Sequence, residues 1–128
     1  MFDLLLVSPK NNTLHELVSA LSTHSEVDLS CAESGENALD LISHTSYDLV
    51  IVDEKVHDMT GLELAERIVR INAMINCAAV SALSQEDFHE ASEGLGLIAQ
   101  LPTQPQRRDA EDLLERLKAI MGLGPKKD

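Results

Sequence analysis

The chain has 128 residues, 44% of them hydrophobic, which is enough to fill the core of one domain of common size. Its 22 acidic residues outnumber 10 basic ones, for a net charge of -12. Such a surface repels phosphate backbones and anionic bilayers, which argues against binding nucleic acid or membrane. Only Phe2, Tyr47 and Phe88 are aromatic, so the core must be aliphatic.

Leu4–Val7 is an unbroken apolar run, the pattern of a parallel strand covered on both faces. Thr13 and Glu16 then form a T-x-x-E capping box, and Leu14, Leu17, Val18 and Leu21 follow as the apolar stripe of a helix. Val27–Ala32 alternates, as a half-exposed edge strand does. Ser34 caps a second helix that turns Ala38, Leu39, Leu41 and Ile42 inward. Leu49–Val52, the most hydrophobic run, ends in Asp53. Thr60 and Glu63 make another capping box, and Leu62, Ala65, Ile68, Val69 and Ile71 follow at helical spacing. Cys77–Ser81 is a fourth strand, and Ser84 caps a short helix carrying Phe88, Ala91 and Leu95. Leu97–Ala99 is a fifth strand stopped by Pro102, and a last helix spans Gln106 to Met121 with Leu113, Leu114, Leu117 and Ile120 inward.

Strands alternating with helices imply right-handed βαβ units. The expected fold is α/β, a doubly wound, five-stranded parallel sheet with five helices. One domain covers residues 1–121, and 122–128 form a flexible tail. No apolar run approaches the roughly 20 residues needed to cross a bilayer, and Met1-Phe2-Asp3 has no basic leader. Cys31 and Cys77 each lie in an apolar run, so both are expected as buried, reduced thiols in a cytoplasmic protein.

In open α/β sheets ligands bind at the C-terminal edge of the strands. That rim would gather Ser8-Pro9-Lys10, Asp53-Glu54-Lys55, Ser81-Ala82 and Leu101-Pro102. His15, His24, His44, His57 and His89 are scattered without metal-ligand spacing. No GxGxxG, P-loop or GxSxG motif occurs, and no nucleophile–base constellation, so an enzyme is not expected.

The run Tyr47-Asp48-Leu49-Val50-Ile51-Val52-Asp53, its polar loop, and Gly61-Leu62-Glu63-Leu64 resemble the receiver domain of two-component response regulators. The resemblance covers nearly the whole chain and implies the strand order 2-1-3-4-5 of a flavodoxin-like sheet. It makes Asp53 the match for the phospho-acceptor and Ser81 the match for the hydroxyl that contacts the phosphoryl group. It makes Leu101-Pro102 a candidate for the cis peptide that receivers place after strand five. The departures are specific. Ser8 and Pro9 stand where receivers carry the acid pair that holds Mg2+, Leu101 stands where they carry a lysine, and Ile98 replaces the aromatic switch residue.

Mg2+ leans on carboxylates, so its binding is expected to be weak or absent, and no other cofactor is implied. Lys10 and Lys55 are the candidates for a tethered cation beside Asp53. The resulting expectation is a stand-alone receiver-like module with a degenerate site, acting through protein–protein contact. Its partners would be other signalling proteins, a histidine kinase among them, and it could pair as a homodimer through helix four, strand five and helix five. The Gln100, Gln104, Gln106, Arg107 and Arg108 region is the place for that contact. Two alternatives stay open, an ordinary phospho-accepting receiver and a flavodoxin-like binder of a small ligand. The turn after strand one lacks the glycines of a phosphate cradle, which counts against the latter.

Overall fold

The computed structural model describes residues 2–9 and 14–122. Ten elements alternate along them: β1 Phe2–Val7, α1 His15–Ser22, β2 Val27–Ala32, α2 Gly35–His44, β3 Leu49–Val52, α3 Gly61–Ile71, β4 Asn76–Val80, α4 Gln85–Ala91, β5 Leu97–Leu101 and α5 Arg107–Ile120. Lys10 and the expected cap at Thr13 lie outside the described residues, as do residues 123–128.

All five strands are parallel, in the order β2-β1-β3-β4-β5. Alternation along each strand divides the core into two layers. Leu4, Leu6, Leu49, Ile51, Ala78 and Val80 pack with α1 and α5 through Leu14, Leu17, Leu113 and Leu117. Leu5, Val7, Val50, Val52, Cys77 and Ala79 pack on the opposite face with Ala38, Ile42, Leu64, Ile68 and Phe88 of α2, α3 and α4. A strand covered on both faces has no place for a polar side chain, which is why β1 and β3 read as apolar runs.

Local signals set the helix starts. Ser34 accepts from the Asn37 N–H, Thr60 and Glu63 form the reciprocal capping box, and Ser84 accepts from the Asp87 N–H. Beyond α4, Gly94 and Gly96 take φ of +82° and +68°, left-handed values that turn the chain into β5 without a steric penalty. At β5 the register slips, with Cys77 opposite Leu97 and Ala78 opposite Ala99, so Ile98 is skipped in the pairing. The Ile98 carbonyl accepts from the Arg116 guanidinium at 2.7 Å.

Several expected placements are corrected. Cys31 is exposed, because β2 is an edge strand with no neighbour outside it. Cys77 is buried, and loss of hydration pushes its thiol up to about 12. Ile71 and Ile120 are 53% and 50% exposed, each being the last residue of its helix. Ala91 is exposed and Leu95 lies in the turn past α4.

Leu64, at the centre of the α3 inner face, is fully buried. Leu64→Ala should destabilise the fold by about 2–5 kcal/mol, and Ile71→Ala by less than about 0.5 kcal/mol. Urea midpoints of the two variants against the wild type provide the check.

Candidate functional site

β2 pairs on one edge of β1 and β3 on its other edge, so the strand order reverses at β1 while all strands stay parallel. Ligand crevices of doubly wound sheets open at such reversals, outside the C-terminal strand ends. Two residues occupy this one, Ser8 after β1 and Asp53 after β3. Ser8 is buried and Asp53 half-buried. The pairing of Val7 with Val52 sets them side by side, and the Asp53 N–H continues the ladder to the Val7 carbonyl at 2.9 Å.

Both oxygens of the Asp53 carboxylate accept hydrogen bonds. The Ser8 hydroxyl donates to Oδ2 at 2.6 Å, and the Glu54 N–H donates to Oδ1 at 2.7 Å. The Glu54 side chain turns the other way, towards β4, and its Oε2 accepts from the Ala82 N–H at 2.6 Å. Ser81, buried at the tip of β4, accepts the Leu83 N–H on its hydroxyl oxygen at 3.1 Å. Gln100 closes this corner from β5 by donating to the Leu83 carbonyl at 2.8 Å and the Ser81 carbonyl at 3.3 Å.

The loop from Glu54 to Thr60 is pinned along its length. Lys55 and Thr60 form an antiparallel bridge, Val56 is buried, and the Gly61 N–H donates to the Glu54 carbonyl. Asp58 reaches the start of α2, accepting from the Gly35 N–H at 2.7 Å and the Glu36 N–H at 3.1 Å. These backbone donors, Gly35 first, hold its carboxyl below the ordinary value of 3.8. Gly61 is required by close approach, since a Cβ there would overlap the Asp53 carbonyl oxygen.

Asp53 and Ser81 therefore lie on adjacent strand tips of one rim, with Ser8 and Pro9 on the next strand over. Lys55 makes no ion pair with Asp53, and this corrects its expected role as a tethered cation. Its backbone is committed to the bridge with Thr60, its side chain is exposed, and hydrogen-bond donors already hold both Asp53 oxygens. The Leu101–Pro102 peptide is trans, against the cis expectation. The Leu101 side chain is buried in the α5-side core, and trans is the ordinary preference of an X-Pro bond. Among the described residues, no group of three or more His, Cys, Asp or Glu side chains is placed to hold a metal ion. No helix of the described residues is long and apolar enough to cross a membrane. Glu54, Asp58 and Gln100 are the rim residues that the sequence did not single out for these contacts.

The response regulator receiver domain model matches residues 4–117. The chain belongs to this family, and its five-stranded sheet has the receiver topology. It is 28% identical over 97 residues to a response regulator receiver protein of Anaeromyxobacter sp. (strain Fw109-5), a match covering 76% of this chain and 41% of the relative. It is 31% identical over 67 residues to sporulation initiation phosphotransferase F of Bacillus subtilis (strain 168), covering 52% of this chain and 54% of that one. These matches thus span about half or less of each curated relative. Among solved structures, a CheY-like receiver domain protein of Methanospirillum hungatei JF-1 superposes with a TM-score of 0.81 at 21% identity, over 97% of this chain and 99% of that one. The chemotaxis response regulator CheY4 of Vibrio cholerae gives 0.78 at 18% identity, over 91% and 98%.

Two outcomes test this geometry. Gly61→Ala should destabilise the protein by about 1–3 kcal/mol, because the added methyl must displace the Asp53 carbonyl; chemical denaturation measures it. The lowered carboxyl of Asp58 contributes stability that is present above its ordinary value of 3.8 and lost as pH falls through the lower folded value. Asp58→Asn should therefore be less stable than wild type at neutral pH, with the gap shrinking on acidification, as read from urea midpoints across an acid pH series.

Proposed function

We propose that this chain is a receiver module of two-component signalling whose phosphorylation site is degenerate and whose output runs through protein–protein contact with little or no dependence on phosphate. One observation carries the reading: the Ser8 hydroxyl, standing where receivers supply a carboxylate, donates to Asp53 Oδ2 at 2.6 Å. Phosphoryl transfer spreads negative charge over the equatorial oxygens of the moving group, and its catalysis rests on cations and positioned donors. Ser8 and Pro9 replace the acids that would hold a metal, and Leu101, buried in the core, replaces the lysine. Glu54 adds a charge of the wrong sign.

Mg2+ demands near-octahedral oxygen coordination and leans on carboxylates. A single Asp53 carboxylate, already accepting two hydrogen bonds, does not fit it when joined only by a serine hydroxyl and backbone carbonyls. On this reading Mg2+ binding is weak or absent, no other cofactor is needed, and the chain catalyses no reaction of its own.

Receiver domains as a class work with histidine kinases and other signalling proteins, and we place this one in the cytoplasm among such partners. The acidic surface favours protein partners over nucleic acid or membrane. Exposed Gln104, Arg107 and Arg108 support a pairing surface beside β5, whereas Gln100 is committed inward. The second reading, an ordinary phospho-accepting receiver, has in its favour the placing of Asp53 and Ser81 on adjacent strand tips.

Incubation with acetyl phosphate and Mg2+, followed by intact-mass measurement, separates the two. The expected result is an unchanged mass. A phosphate adduct that forms on the wild type and is lost in Asp53→Ala would establish the ordinary receiver instead.

A further inference from the structure

Glu54 is held at three points before its side chain is considered. Its N–H donates to Asp53 Oδ1, its carbonyl accepts from Gly61, and the residue after it is bridged to Thr60. The backbone is thereby fixed, and the carboxylate spans from the end of β3 to the loop between β4 and α4, where Oε2 meets the Ala82 N–H at 2.6 Å. A short hydrogen bond from an amide to a charged oxygen belongs to the stronger class. The loop it reaches is gripped again one residue further on, where Gln100 takes the Leu83 carbonyl and Ser81 takes the Leu83 N–H. Backbone donors and a hydroxyl at a strand tip, beside an aspartate on the next strand, form a corner that receives negative charge. Here the negative charge comes from the chain itself.

We propose that Glu54 is a built-in anion that holds the β4–α4 loop in one position, taking the place at that loop that an added phosphoryl group would otherwise take. The inference deepens the degenerate-receiver reading and rests on it. A permanent carboxylate at this corner makes the loop conformation constitutive and sets like charge against any second anion arriving from Asp53. An exposed glutamate that merely finds a nearby amide would leave the rest of the loop unaffected when removed, and this difference is measurable.

The experiment compares wild type with Glu54→Ala, Glu54→Asp and Glu54→Gln by amide hydrogen exchange and backbone NMR, with no phosphodonor present. Glu54→Asp keeps the charge but falls one methylene short, whereas Glu54→Gln keeps the reach and an acceptor oxygen without the charge. Glu54→Ala and Glu54→Asp should speed exchange at Ala82 and Leu83 by about tenfold and shift the Gln100 side-chain amide, while Glu54→Gln should be intermediate. The amides of β1 serve as the internal reference for an intact fold. Unchanged exchange at Ala82 in Glu54→Ala would overturn the proposal. So would a change confined to Ala82 with Leu83 and Gln100 unmoved, since the carboxylate would then hold nothing beyond its own contact. Because no phosphodonor is used, this outcome is separate from the acetyl phosphate result and can fail while that reading stands.

Discussion

The pairing of β1 with β3, which sets Val7 opposite Val52, decides where every group at the rim falls. Both strands are buried on two faces, so each must stay apolar until it leaves the sheet. The first polar residues, Ser8 and Asp53, therefore emerge together at one level and within hydrogen-bonding distance. A slip of one residue in this register would turn every side chain of one of the two strands to the opposite face, sending either Leu5 or Val50 into the wrong layer. The placing of Ser8 and Asp53 is thus a by-product of core packing, and its precision comes from the strands beneath them.

One electrostatic solution recurs across the rim. Asp53 is held by a hydroxyl and an N–H, Glu54 by the Ala82 N–H, and Asp58 by the N–H groups that open α2. Among the described residues, none of these three carboxylates is paired with a lysine or arginine. In a chain of net charge -12, backbone dipoles are the available substitute for scarce cations. They bind the acids to the scaffold but do not neutralise them. Each hydrogen bond ties a carboxylate to the backbone of a neighbouring element.

The legible part of this molecule was the part written locally. Apolar runs marked the strands, and Ser34, Ser84 and the Thr60–Glu63 pair marked helix starts, because a cap acts within three residues of itself. The position of Asp53 followed from the end of an apolar run, and the strand order from the family resemblance. Contacts across long sequence separations were not legible. Glu54 meets Ala82 across 28 residues and Asp58 meets Gly35 across 23, and nothing in the local pattern of either acid announces its partner. Periodicity also overreached at the ends of α3 and α5, where Ile71 and Ile120 keep the helical spacing but are the exposed last residues of their helices. At Leu101–Pro102 the family's cis expectation failed at the residue that had itself changed, a buried leucine standing in place of a lysine.

The slipped register at Ile98 bears on how this sheet ends. An edge strand offers unpaired backbone groups to any chain that comes alongside, and unguarded edges invite sheets to grow from molecule to molecule. On β5 the irregular pairing interrupts that template, and Arg116 already occupies the Ile98 carbonyl with a charged side chain. Recruitment by strand addition is thereby discouraged on this side. On this side the exposed side chains of α4 and α5, not the backbone of the strand, form the surface that the molecule presents.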